Sequence, residues 1–247
     1  MGRWSRRLAP QLVEFATVAG HDSILDVGSG TGALSFFVAE AYPSVTITGV
    51  DPSLAYVGAA QMQLPDNRVR FIVGDAQTLE FPDATFDKTL SLLVLSFVPD
   101  QARALREMSR VTRAGGIVSA AVWDYGEGME MLRVFWDAVA VDPAMAARDE
   151  RHLPLCRRGE LAALWRAGGL EDVEEQALTI EMSFKNFDDY WLPFLGGQGP
   201  AGAYAASLAD AHRAALEARL RRRLLSGRDD GPFMLRARAW AVKGRRL

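Results

Sequence analysis

Three short apolar runs, each closed by an aspartate, dominate the first third of this 247-residue chain and restrict what it can fold into. The first, Ile24 to Val27, lies in the stretch LDVGSGTG and carries Asp26. The second, Val45 to Val50, stops at Asp51 and Pro52, and the third, Val69 to Val73, stops at Gly74 and Asp75. β-Branched residues bounded by glycine, proline and aspartate read as strands. Between the first two runs, Ala33 to Ala41 has helical periodicity, and Ser53 is placed to cap a second helix reaching about Leu64. Strands about 20 residues apart and alternating with helices require a parallel sheet with right-handed crossovers. The fold class expected is α/β, a doubly wound Rossmann-like sheet with helices on both faces and a ligand crevice at the carboxyl ends of its strands.

The remainder extends this pattern. A first helix is expected near residues 4 to 18, a buried fourth strand over Phe86 to Leu95 and a fifth over Ile117 to Trp123. Between the last two lies an amphipathic helix, 100 to 113, whose apolar stripe is Ala102, Leu105, Met108 and Val111 and whose end is marked by a glycine pair. Met129 to Val141 and residues 159 to 170 read as helices, 171 to 184 as a sixth strand and 233 to 242 as the last. An aromatic and glycine-rich stretch, FDDYWLPFLGGQGPAG, precedes a helix ending in ArgLeuArgArgArg, which reads as a solvated face. We expect one domain over 1–247: a cap helix in 1–20, a ligand-binding core in 21–125, and insertions 126–157 and 185–231 that cover a substrate.

The glycine cluster carries the chemistry. Gly28, Gly30 and Gly32 allow the backbone to turn sharply and approach a ligand with no Cβ between them. Asp51, at the tip of the second strand, is placed to accept from ribose hydroxyls. Asp75 can accept from an adenine amine, with the Ala76 amide offered to a ring nitrogen. Gly28, Gly30 and Ala33 also satisfy the loose dinucleotide fingerprint, so a nicotinamide or flavin dinucleotide is the nearest rival ligand, and an NAD-binding oxidoreductase the lesser alternative function. Asp26 argues against it: a carboxylate about 4 Å from a phosphate costs on the order of 4 kcal/mol at an effective dielectric of about 20. S-adenosylmethionine (SAM) has no phosphate, and its methionine end carries an ammonium and a sulfonium that the same carboxylate attracts.

Across residues 20 to 125 the chain resembles the class I SAM-dependent methyltransferases, in particular their small-molecule branch related to the ubiquinone/menaquinone (type 11) enzymes. The resemblance implies a seven-stranded sheet, mostly parallel, with an antiparallel last strand inserted between strands five and six. It implies that Asp26, Gly28, Ser29, Gly30, Thr31 and Gly32 hold the methionine moiety. Asp51 with Pro52 would hold the ribose, Asp75 and Ala76 would flank the adenine, and backbone near Leu92 would line the cofactor. The segment FPDATFDKTLSLLVLSFVPD looks like the family's fourth motif. It departs from that motif in carrying Ser96 and Phe97 where a histidine often stands.

The expected function is in-line methyl transfer from SAM to an oxygen, nitrogen or carbon of a small acceptor, leaving S-adenosylhomocysteine. A non-catalytic SAM- or nucleoside-binding accessory protein is the leading alternative. A formal charge of -3 provides no cationic field for nucleic acid. The single cysteine, Cys156, excludes an internal disulfide and reads as a small core residue. The N-terminal arginines precede a stretch too short and polar for a signal or a membrane span, so a cytoplasmic protein without membrane association is expected. His21 reads as a turn residue and His212 as lying on a polar helix face. His152 is the one candidate base, and the histidine spacing suggests no metal. Asp83, Asp87 and Asp100 read as turn and cap residues. Trp123, Asp124 and Tyr125 are expected beside the acceptor, Tyr190 and Trp191 as an apolar lid, and Arg3, Trp4 and Arg7 as a segment folding over the cofactor.

Overall fold

The computed structural model describes residues 2–63, 67–139 and 149–247. Helix α1 (Gly2–Phe15) leads into β1 (Ser23–Val27), α2 (Ala33–Ala41), β2 (Thr46–Asp51), α3 (Leu54–Gln61), β3 (Val69–Val73) and β4 (Phe86–Leu92). There follow α4 (Gln101–Val111), β5 (Thr112–Trp123), α5 (Glu130–Val139), α6 (Glu160–Ala167) and β6 (Glu171–Phe184). The chain ends with α7 (Phe187–Leu195), α8 (Gly199–Ser207), α9 (Asp210–Leu225) and β7 (Phe233–Arg245). The seven strands form one sheet in the order β3-β2-β1-β4-β5-β7-β6, and its first five strands are parallel. Strand β7 is antiparallel to β5: Gly115 N–H donates to the Arg246 carbonyl and Arg246 N–H to that of Gly116. The last strand therefore lies between the fifth and sixth, as the resemblance implied. Strand order reverses between β1 and β4, where an open α/β sheet binds its ligands.

The chain divides into two compact units. The first comprises 1–122, 154–178 and 239–247, and the second 123–153 and 179–238. In the first, the Arg68 guanidinium donates to the carbonyls of Ala39 and Tyr42 at the end of α2, satisfying groups that a helix terminus leaves open. Trp165 is fully buried and donates its indole N–H to the Val118 carbonyl at 2.9 Å. Ser53 caps α3 and Asp100 caps α4, accepting from Arg103 N–H at 2.8 Å. Asp100→Ala is accordingly expected to cost about 1 kcal/mol, read as a lowered urea midpoint at unchanged m-value. Asp83 and Asp87 pair with Arg110 and Arg113, and Cys156 is buried.

Several boundaries differ from the sequence reading. The glycine pair does not stop α4: that helix ends at Val111, and β5 already runs through Gly115 and Gly116. A Cβ on Gly116 would lie 2.5 Å from the Asp87 carbonyl oxygen, so this glycine serves close strand approach. Ala102 is exposed, and Ala104 occupies the buried face of α4 beside Leu105, Met108 and Val111. The fourth strand ends at Leu92, and a one-turn 3-10 helix, Leu95–Phe97, takes up the rest of its apolar run. Leu64 and Val141, the expected ends of two helices, lie outside the described residues.

The second unit is helical apart from its strand ends, and its core is aromatic. Phe135 of α5 stacks on Phe194 of α7 at 4.6 Å, and the buried Tyr190 hydroxyl donates to the Met131 carbonyl at 2.9 Å. The segment FDDYWLPFL, read as part of an aromatic and glycine-rich insertion, is helix α7, capped by Asn186 and carrying Pro193 within it. Its aromatic side chains gain enough burial to outweigh the helix-breaking residue. Glu150 is buried and accepts from the Trp136 indole and from Ala201 N–H; burial raises its pKa. No helix among the described residues is long and apolar enough to cross a membrane.

Candidate functional site

The carboxyl ends of β1, β2 and β4 meet in the first unit. Beyond Val27 the chain turns back through Gly28 and Ser29, whose N–H groups both donate to the Val50 carbonyl of β2, at 2.7 and 3.0 Å. Gly28, Gly30 and Gly32 all have positive φ (76, 54 and 87°), which side-chain-bearing residues rarely adopt. Their surroundings differ. A Cβ on Gly28 would lie 2.4 Å from a Val94 methyl and one on Gly32 2.6 Å from the Phe36 ring, whereas one on Gly30 would meet nothing within 4 Å. The turn is packed from behind and open at its middle residue.

Two carboxylates hold this turn in different ways. Asp51 accepts from Gly30 N–H through one oxygen and from Ser53 N–H through the other, both at 2.9 Å. It therefore ties the glycine turn to the start of α3. Asp26 is only 1% exposed; one oxygen accepts from the Ser35 hydroxyl at 2.7 Å and the other has no partner. Burial pushes its pKa up to about 7, against the downward pull of the Ser35 hydrogen bonds and with a further push from the Asp51 charge. The Ser29 hydroxyl is likewise buried without a partner. Asp75 is exposed and accepts from the Gln77 backbone and side chain. Ala76 and Leu92 are buried, while Thr31 and Pro52 are exposed.

The loop after β4 completes the edge. Leu93 adopts φ 67°, left-handed for a branched residue, and its N–H donates to Ala121 of β5 at 2.7 Å. Strained backbone of this kind costs on the order of 1 to 3 kcal/mol and concentrates at functional sites. Phe97 is 53% exposed and Ser96 is buried with an unpartnered hydroxyl. Sequence reasoning did not assign roles to Ser35 or Ser96. For Ser35 the available signal was its position on the first turn of the helix that follows the glycine loop.

Trp123, Tyr125, Tyr190 and Trp191 belong to the second unit and are buried there. Tyr190 and Trp191 are buried core residues of α7. Asp124, also buried, accepts from the Arg238 guanidinium and from Glu127 N–H. His152 is exposed at the end of the 3-10 helix Glu150–His152. In the first unit, Arg3 and Arg7 lie over the ring of the buried Trp4, at 4.3 and 5.5 Å. Among the described residues no cluster of three or more His, Cys, Asp or Glu is arranged to hold a metal ion.

Residues 25–120, which span the glycine turn and all three aspartates, match the family model described as a methyltransferase domain. The demethylmenaquinone methyltransferase of Roseiflexus sp. (strain RS-1) is 32% identical over 167 residues, covering 60% of this chain and 68% of that protein. The chain belongs to the type 11 branch of the class I SAM-dependent methyltransferases. Two further relatives extend the comparison. The 2-methyl-6-phytyl-1,4-hydroquinone methyltransferase of Synechocystis sp. is 34% identical over 47% of this chain and 36% of its own length. The malonyl-[acyl-carrier protein] O-methyltransferase of Geobacter sulfurreducens is 34% identical over 59% of this chain and 54% of its own. This methyltransferase chain thus spans about a third to a half of those two proteins. In fold it resembles the crystal structure of a putative methyltransferase from Bacillus halodurans, with TM-score 0.62 and 17% identity over 96% of this chain and 97% of that one.

Proposed function

We propose that this chain binds SAM at the glycine turn and transfers its methyl group to a small-molecule acceptor. The observation that carries the reading is the buried, half-unpartnered carboxylate of Asp26 immediately ahead of a turn whose middle residue faces open space. Such a group favours a cationic amino-acid end and disfavours a phosphate. Asp51 retains lone pairs for ribose hydroxyls beyond the two backbone amides it accepts, and Asp75 with Ala76 supplies the acceptor and donor an adenine edge requires. SAM supplies an already activated methyl group when bound, so the chain's own residues need mainly to align donor and acceptor. Alignment alone is worth roughly 7 to 11 kcal/mol. The relatives' named acceptors, demethylmenaquinone, 2-methyl-6-phytyl-1,4-hydroquinone and malonyl-[acyl-carrier protein], support a small, partly apolar acceptor, the formal charge of -3 disfavours nucleic acid, and we assign the reaction to the cytoplasm.

Titration calorimetry tests the reading. SAM and S-adenosylhomocysteine are expected to bind at micromolar level and NADH not to bind; NADH binding without SAM binding would give the site to a dehydrogenase. Asp51→Ala is expected to weaken SAM by about 1.5 to 3 kcal/mol, the worth of a charge-assisted hydrogen bond, or roughly 10- to 150-fold. Unchanged affinity would mean that Asp51 does not hold the ligand.

A further inference from the structure

Among the described residues, the buried side-chain oxygens without a hydrogen-bond partner are three: Asp26 Oδ1, Ser29 Oγ and Ser96 Oγ. All three lie at or just beyond the carboxyl ends of β1 and β4, which pair in the sheet with Asp26 opposite Leu90. The two segments touch, since Val94 fills the space that a Cβ on Gly28 would take. One oxygen belongs to the end of β1 and one to the glycine turn; the third, on Ser96, lies on a segment that no part of the reading above uses.

A buried hydroxyl left unpaired is costly, about 1 to 3 kcal/mol, and native proteins rarely tolerate it without a purpose. A helical serine ordinarily bonds back to the carbonyl four residues earlier. Ser96 sits in a one-turn helix, and Leu92, four residues back, is still in strand β4. Its position follows from Leu93, whose left-handed backbone turns the chain off the strand.

We infer that Ser96 is a ligand-binding residue whose hydroxyl, together with that of Ser29, donates to the carboxylate of the amino-acid end of the methyl donor, while Asp26 receives the ammonium. The inference rests on the methyltransferase reading and extends it. The zwitterionic end needs acceptors for its ammonium and donors for its carboxylate, and the three unpaired oxygens provide one carboxylate and two hydroxyls.

The test compares two probes by calorimetry: S-adenosylhomocysteine, which has the amino-acid end, and 5′-methylthioadenosine, which lacks it. Ser96→Ala is expected to weaken S-adenosylhomocysteine about tenfold, as for loss of one hydrogen bond to a charged group, and to leave 5′-methylthioadenosine unchanged. Ser96→Cys, near in shape with a weaker donor, is expected to fall between. Unchanged S-adenosylhomocysteine affinity, or an equal loss for both probes, overturns the assignment, the second outcome indicating a purely structural serine. Failure of the wild-type chain to bind either probe overturns the methyltransferase reading instead.

Discussion

Gly28→Ala is expected to lose roughly 2 to 5 kcal/mol of folding stability and, with it, ligand binding. The loss has two sources. An alanine at φ 76° bears left-handed strain of about 1 to 2 kcal/mol. Its methyl group would also lie 2.4, 2.5 and 2.7 Å from both methyls and the Cβ of Val94, and overpacking of this kind costs about 1 to 3 kcal/mol. Because the Val94 Cβ is itself too near, rotating that side chain gives no relief. Gly30→Ala is the control: its methyl meets nothing within 4 Å, so stability falls by the strain alone while the substituent stands where a ligand approaches. Urea unfolding of both variants, with S-adenosylhomocysteine titration of Gly30→Ala, checks this. Equal stability losses for the two would show that contact with Val94 does not shape the turn.

Asp26→Asn is expected to raise stability in alkaline solution while weakening SAM. The folded chain holds the Asp26 proton up to about pH 7, whereas the ordinary value is 3.8. Between those values the native state binds a proton that the unfolded chain releases, so this residue's contribution to stability falls as pH rises from about 4 to about 7. The difference amounts to roughly 4 kcal/mol. The asparagine chain lacks this dependence, so its unfolding free energy should exceed that of wild type at pH 8 by a few kcal/mol and match it near pH 4. Ligand affinity should move the other way, since asparagine presents no charge to an ammonium. Parallel stability profiles for the two chains between pH 4 and 8 would show that Asp26 is already ionised in the free protein.

The two expectations describe one trade. The turn keeps a buried carboxylate that would be more stable neutral and a backbone bend that only glycine adopts without strain. The buried carboxylate disfavours the free protein, a loss of stability common at binding sites.

Much of the first unit could be read from residue order alone. The period of apolar residues and the aspartates ending three runs located β1, β3 and α2 to within a residue, because β-branched runs bounded by glycine and aspartate and a glycine turn leave local signatures. Ser53 and Asp100 were legible as caps for the same reason: a cap bonds to an amide three residues away. The placement of β7 came from family resemblance, since nothing local in FMLRARAWAV states which strands it joins.

The second unit was less legible. In FDDYWLPFL, Pro193 and the crowded aromatics obscured α7, whose stability derives from contacts such as Phe135 with Phe194, 59 residues apart. Tyr190 and Trp191 are buried in that core.

The residue types at the glycine turn and their spacing were set by the amino-acid order, because strand, turn and cap chemistry act over a few residues. What only tertiary structure decided was which polar atoms remain unpaired. Asp26 at the end of β1 meets Ser35 on the first turn of α2, Asp51 at the end of β2 meets Gly30 in the turn after β1, and the Ser96 hydroxyl meets no partner, since hydrogen-bond satisfaction depends on distances through space that the chain's order does not contain.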